Sequence, residues 1–189
     1  MAQAREPLHG VVAELRLVTP TLPSAVGWTS SSLPAGAVVP GRGFGVDVGA
    51  HVLLGPGRHR RLGLGVTALV SQGRSTGLAP APTATTRFIT AAPHVSINFG
   101  HALGWSHLSA GVGTAKVTAN YAGALAEATP WGTVIHYGFG GRWFMRERMA
   151  LSLDLRFWAL TPRPASASGV RPSAPATTRV ALGAGVAFR

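Results

Sequence analysis

The sequence predicts an all-β fold, an eight-stranded antiparallel up-and-down β-barrel that crosses a membrane. Three observations predict it: eight stretches in which apolar and polar residues alternate, stretches long enough to cross a bilayer, and connections that are alternately short and long. Alternation with period two is typical of a strand with one apolar and one polar face. A tilted strand needs about 9–11 residues to cross a bilayer, whereas soluble strands average about five or six.

The composition excludes the helical alternative. The 189 residues are 46% hydrophobic and only 12% charged, with a mean hydropathy of +0.24. A membrane-spanning helix needs roughly 20 consecutive apolar residues, and Gly, Ser, Thr, Arg or His interrupts every apolar stretch. The 25 glycines and 14 prolines also disfavour long helices. With no cysteine, the chain has neither disulfides nor a cysteine-ligated metal site.

We expect one domain, 1–189, with a short N-terminal segment at 1–7. The seventh predicted strand shows the alternation best, because a one-residue slip would exchange an apolar face for one that carries Asp154 and Arg156. Its apolar face consists of Met149, Leu151, Leu153, Leu155 and Phe157. The eight strands are predicted at residues 8–18, 44–55, 61–72, 87–99, 104–116, 133–146, 148–160 and 178–189.

The connections predict an orientation in the bacterial outer membrane. Those at 55–60, 100–104 and 146–148 are short, whereas those at 18–43, 72–87, 117–132 and 161–178 are long and rich in Ser, Thr, Ala and Pro. Outer-membrane barrels have short periplasmic turns and longer external loops. Both termini are therefore expected in the periplasm.

The polar faces of the strands predict a narrow, side-chain-filled polar lumen. Eight strands enclose an interior that side chains can fill, so a general diffusion pore is not expected. Charges in such an interior need partners, and the polar faces supply carboxylates and guanidinium groups in equal number. The predicted lumen charge network consists of Glu14, Arg16, Asp47, Arg142, Asp154 and Arg156. The network either rigidifies the lumen or lines an ion path or small-ligand site.

A soluble barrel is the alternative fold, because alternation alone does not say which face is inside. The polar face carries few charges and many glycines. The solvent face of a soluble barrel would instead be rich in Lys and Glu, so the sequence favours the membrane.

The strong positive charge does not predict nucleic-acid binding. The 17 Lys+Arg exceed the 6 Asp+Glu, which gives a net charge of +11. Binding of single-stranded nucleic acid needs a basic groove with interleaved aromatic residues, but these arginines are divided among turns, loops and lumen. Two basic turns, Arg58–Arg61 and Arg146–Arg148, are either solvated or contact lipid phosphates at the membrane rim.

His94 and Ser96 are the candidate residues of an alternative function, that of an enzyme. This His-x-Ser pair resembles the dyad of the outer-membrane lipid A deacylases, and the resemblance implies a lipid hydrolase. A serine nucleophile needs a base, and the base needs an orienting acid. No Asp or Glu occurs between Asp47 and Glu127, and both residues lie on the predicted lumen face. We therefore expect no catalytic site.

Histidines do not predict a metal site or a cofactor. Four of the seven, His51, His94, His107 and His136, point inward by alternation, but they lie on different strands at heights that the sequence does not specify.

Over nearly its whole length the chain resembles the small outer-membrane β-barrel family of the OmpA and OmpX type. The end, with Gly183, Val186 and Phe188, is similar to the C-terminal signal of such proteins, although Arg189 follows the aromatic that is normally last. The resemblance implies a non-enzymatic, monomeric barrel with a structural, adhesive or surface-interaction role. Implied partners are outer-membrane lipids, including lipopolysaccharide, and the barrel-assembly machinery. Ala2, Gln3 and Ala4 match the small-residue pattern before a signal-peptidase cut.

Overall fold

A computed structural model describes residues 10–23, 38–55, 60–76, 83–101, 103–121, 127–128, 130–165 and 173–189. The N-terminal segment 1–7, with Ala2, Gln3 and Ala4, and the turn residues Arg58 and His59 lie outside these ranges. No helix in the described residues is long and apolar enough to cross a membrane. The strands are β1 Gly10–Pro20, β2 Phe44–Leu54, β3 Arg60–Ser75, β4 Ala84–His101, β5 Gly104–Tyr121, β6 Glu127–Ala128, β7 Gly132–Arg146, β8 Met149–Leu160 and β9 Thr177–Phe188.

The eight long strands form one closed antiparallel barrel. They pair in chain order, β1 pairs with β9 to close the barrel, and the two-residue β6 pairs with β5 beside β7. Leu15, for example, lies opposite Val48 on one side and Val186 on the other. Closure leaves no unpaired strand edge within the barrel wall. The predicted fold class is confirmed.

Three neighbouring strands are longer than the alternation predicts. At the end of the barrel where the long connections lie, the loop end, β3 continues to Ser75 and β5 to Tyr121, and β4 begins at Ala84. The added residues continue the ladders, with Ala84 opposite both Ser75 and Tyr121. In these extensions the apolar residues Ala84, Ala119 and Tyr121 are buried, the reverse of the outward apolar alternation in the strand centres. The opposite end, with the short connections, is the turn end.

The outer face of the wall is apolar. Along β3 the outward residues from Leu62 to Val70 are apolar, between Arg60 at the turn end and Gln72 and Arg74 at the loop end. Leu62 is 62% exposed, which in water would be an unfavourable surface. Aromatic residues lie outward near the turn end, where an interfacial girdle belongs: Phe99, Trp143 and Phe188.

Candidate functional site in the barrel lumen

Arg16 is the centre of the charge network inside the barrel. Its Nη2 lies 3.1 Å from Glu14 Oε2, its Nε 3.1 Å from Asp47 Oδ2 and its Nη1 2.9 Å from Asp154 Oδ2. The guanidinium is fully buried. One arginine therefore contacts all three lumen carboxylates, which come from β1, β2 and β8.

Two further arginines complete the network. Arg142 Nε on β7 lies 2.5 Å from Glu14 Oε1, and Arg156 Nε on β8 lies 2.7 Å from Asp154 Oδ1. Arg156 Nη1 is also 3.4 Å from Asp47 Oδ2. All six charged residues named from the sequence thus lie together, each at most 6% exposed. Three carboxylates face three guanidinium groups, so the network has no net charge.

Residues outside the predicted charge network bridge the charges. Thr67 Oγ1 donates to Asp47 Oδ1 at 2.7 Å and accepts from Arg156 Nη1 at 2.6 Å. His107 Nε2 lies 2.9 Å from Asp154 Oδ2, and Asn98 Oδ1 accepts from Arg142 Nη1 at 3.4 Å. Alternation in the sequence places these side chains inside the barrel, but it does not give their height along the barrel axis relative to the charged residues.

Apolar side chains lie on both sides of the charged band. From the turn end, the inward residues of β1 are Val12, then Glu14 and Arg16, then Val18. Val12 belongs to a turn-end cluster with Leu53, Trp105, Ala150 and Ala187, against which Phe144 packs. Val18 belongs to a loop-end cluster with Leu22, Leu69, Phe88, Ala92, Ala115, Val117, Val134, Trp158, Leu160, Ala174 and Ala181. The expected polar lumen is thus polar in its middle and apolar towards both ends.

Residues from two long connections take part in the loop-end cluster. Leu22 is fully buried, its N–H donates to Gly41 O at 2.9 Å, and its carbonyl accepts from Arg179 Nη1 at 2.9 Å. Ala174 is buried in the same cluster and pairs with Arg163. The stems of the connections therefore fold over the barrel opening.

Three histidines form a second cluster beside the charges. The ring of His94 lies 6.1 Å from that of His51 and 5.7 Å from that of His136, both edge-on, and His136 lies 4.9 Å from Trp158. These histidines come from β2, β4 and β7. No group of three or more side chains among the described residues has the arrangement of a metal site.

Glycine makes room for this histidine cluster. Gly111 on β5 lies between His94 and His136 in the ladder. A Cβ there would be 2.1 Å from Pro93 O and 2.6 Å from His136 Nε2. Because both ladders fix the backbone at this position, an added methyl group cannot be accommodated without shifting a strand or the imidazole.

We expect Gly111→Ala to destabilise the barrel by about 1–3 kcal/mol, the usual cost of overpacking an interior. The measurement is the temperature at which the compact folded band is lost in a gel assay. Gly41→Ala is the matched control, because a Cβ there meets nothing within 4 Å and φ is not positive. Equal transition temperatures for the two variants would contradict the steric role of Gly111.

His94 and Ser96, the residues of the enzymatic alternative, lie inside the lumen. They are 8% and 4% exposed. Ser96 Oγ accepts a hydrogen bond from Asn98 Nδ2 at 2.9 Å, and the His94 ring contacts the other two histidines. Among the described side chains, no carboxylate pairs with His94. Within the described part of the chain, the pair therefore has no orienting acid, and it lies in the lumen, away from the lipid face.

Comparisons with known proteins agree with the fold. No family model matches the chain, and no curated protein matches it. The structure of neisserial surface protein A (NspA) from Neisseria superposes with a TM-score of 0.60 at 11% identity, covering 94% of this chain and 96% of that one. Ail, the attachment invasion locus protein of Yersinia pestis, superposes with a TM-score of 0.51 at 12% identity, covering 96% and 100%.

A second structure of Ail, in complex with the heparin analogue sucrose octasulfate, gives a TM-score of 0.50 at 9% identity, covering 94% of this chain and 96% of that one. At these identities the likeness concerns the fold alone. The predicted resemblance to small outer-membrane β-barrels is confirmed at that level.

Proposed function

We propose that the chain is an integral protein of the bacterial outer membrane, without enzymatic activity, whose barrel holds external loops that contact the surroundings of the cell. The observation that carries the proposal is a closed eight-stranded wall that is apolar outside and filled inside. The apolar outer face suits acyl chains, and the alternation of short and long connections suits periplasmic turns and external loops.

A structural or surface-interaction role fits the lumen better than transport. The charged band is neutral overall and is enclosed by apolar clusters at both ends. An ion that crosses would have to shed water against Trp158 and Phe88, which are fully buried. The long connections are then the parts of the molecule that meet the surroundings of the cell, and Ail, similar in fold, is named as an attachment protein.

The proposed partners follow from the same placement. Outer-membrane lipids, including lipopolysaccharide, surround the wall, and the barrel-assembly machinery inserts it as a monomer. Phe188 supports recognition by the barrel-assembly machinery, because it is 47% exposed and lies outward on the last strand, opposite Ala13 and Met149.

Refolding into detergent and then into planar bilayers tests the proposal. We expect β-rich circular dichroism, a folded band that migrates differently from the boiled protein, and no stepwise conductance. Trp158→Ala with Phe88→Ala is the control that opens the loop-end cluster and is expected to raise conductance. Failure to form the heat-modifiable band would overturn the membrane barrel. Channel activity in the wild type would overturn the closed lumen.

A further inference from the structure

Four cations lie side by side on one part of the outer wall, at the loop end. Arg74, Arg87 and Lys116 are outward residues of the adjacent strands β3, β4 and β5, and Arg42 lies two residues before the start of β2. Arg87 is opposite Gln72 on β3 and Thr118 on β5, each two residues from Arg74 and Lys116 respectively. Diagonal neighbours of this kind are about 7–8 Å apart. We call these four residues the basic arc.

Among the side chains that the structure describes, no acid lies beside the basic arc on the outer wall. Of the carboxylates whose side chains the structure describes, Glu14, Asp47 and Asp154 are in the lumen and Glu147 is at the turn end. Two described cations lie at the loop end of the opposite half, and each donates to a backbone carbonyl: Arg163 to Pro130 O and Arg179 to Leu22 O. The outward residues near the loop end of β1, β7 and β9 are threonines: Thr19, Thr133 and Thr178.

The wall directly below the basic arc is concave. A groove of about 460 Å³ crosses β2, β3 and β4. It exists because its outward side chains are small, among them Ala50, Ala68 and Ala91. Ala91 follows Arg87 by four residues on the same strand, about 13 Å at the strand rise of roughly 3.3 Å per residue. An acyl chain that hangs from a headgroup at the arc therefore reaches the groove.

We propose that the basic arc and the groove form one binding site for lipopolysaccharide, with the lipid A phosphates on the arc and an acyl chain in the groove. The inference rests on the proposed function, which places the loop end in the outer leaflet. Groups at the border between the apolar wall and water face lipid headgroups, and three of the four cations are arginines, whose planar guanidinium pairs phosphate in bidentate fashion. The four cations are grouped on β3, β4, β5 and the segment before β2, so the site is confined to this part of the wall.

The first test uses refolded wild-type protein in mixed micelles and needs no variant. Retention of hexa-acylated lipid A with two phosphates is compared with that of the same lipid without phosphates, by native mass spectrometry. We expect at least tenfold preference for the phosphorylated lipid, reduced by added salt. Equal retention of the two lipids, displacement by millimolar inorganic phosphate, or tighter binding of a sulfated oligosaccharide would overturn the lipid site.

The second test locates the site. Arg74→Gln with Arg87→Gln and Lys116→Gln is expected to lower the affinity for phosphorylated lipid A by about 100-fold, since each of the three cations contributes about fivefold near a charged lipid surface. The matched control removes the same charge from the turn end, with Arg60→Gln, Arg146→Gln and Arg148→Gln, and is expected to bind like wild type. Equal losses of affinity in the two triple variants would refute the binding of the lipid phosphates by the basic arc.

Ala68→Leu, which fills the groove without changing charge, is expected to reduce retention of the acylated lipid while leaving the phosphate preference. Every variant is first checked for the heat-modifiable band. Loss of that band in the wild type counts against the proposed function, whereas a folded wild-type barrel without phosphate preference counts against the lipid site alone.

Discussion

Arg16→Met is expected to destabilise the folded barrel by about 3–5 kcal/mol, the cost of breaking a buried ion pair by removing one partner. Arg16 contacts Glu14, Asp47 and Asp154 within 3.1 Å and is fully buried. Its loss leaves three carboxylates facing two guanidinium groups inside a wall that excludes water. Met is close to the arginine stem in shape, so the change removes charge and hydrogen bonds more than volume.

The change in the free energy of unfolding is measured by urea-dependent unfolding in lipid vesicles, monitored by tryptophan fluorescence. Arg60→Met is the matched control, because Arg60 lies exposed at the turn end and makes no ion pair with a described carboxylate. Adding Asp47→Asn to Arg16→Met restores the balance of charge and is expected to recover part of the loss. A change below about 1 kcal/mol for Arg16→Met, within the range of an exposed ion pair, would show that the network does not hold the lumen together.

The outward face of each of the eight long strands could be predicted from the sequence, because alternation has a period of two residues and one face must meet lipid. Glu14 and Arg16 on β1, or Asp154 and Arg156 on β8, could be assigned inward in this way. Pairing among the charges was also predictable in outline, since charges enclosed by eight strands must find partners.

The height of each residue along the barrel axis could not be predicted, because it depends on the stagger of the strands. His51 and His94 are separated by β3 and meet only because Gly65 lies between them in the ladder. The contribution of Leu22 to the loop-end cluster depends on how a long connection folds back, which local pattern does not encode.

The free volume inside the lumen could not be predicted from the sequence either. The sequence does not say whether an arginine in place of Ser152 would find room in the lumen. The structure shows Ser152 fully buried, with Oγ 3.4 Å from Glu14 Oε1 and opposite Arg142. A further guanidinium there would disturb the balanced network, so Ser152→Arg is expected to be harmful. The long side chains of Glu14 and Arg142 occupy the space beside Ser152, and they come from other strands.

Leu153→Arg is expected to cost about 2–4 kcal/mol and to hinder insertion into bilayers, because it places a charge on the lipid face near the middle of the membrane. Leu153 lies outward on β8, 42% exposed, between Gly141 on β7 and Ala184 on β9. Met145→Arg is the matched control, since Met145 is also outward, 59% exposed, but lies at the turn-end rim. There the same charge costs only about 0–1 kcal/mol. Folding yields into lipid vesicles, read from the heat-modifiable band, compare the two variants. Insertion of Leu153→Arg as efficient as that of Met145→Arg and wild type would show that this face does not meet lipid, and the membrane barrel would be wrong.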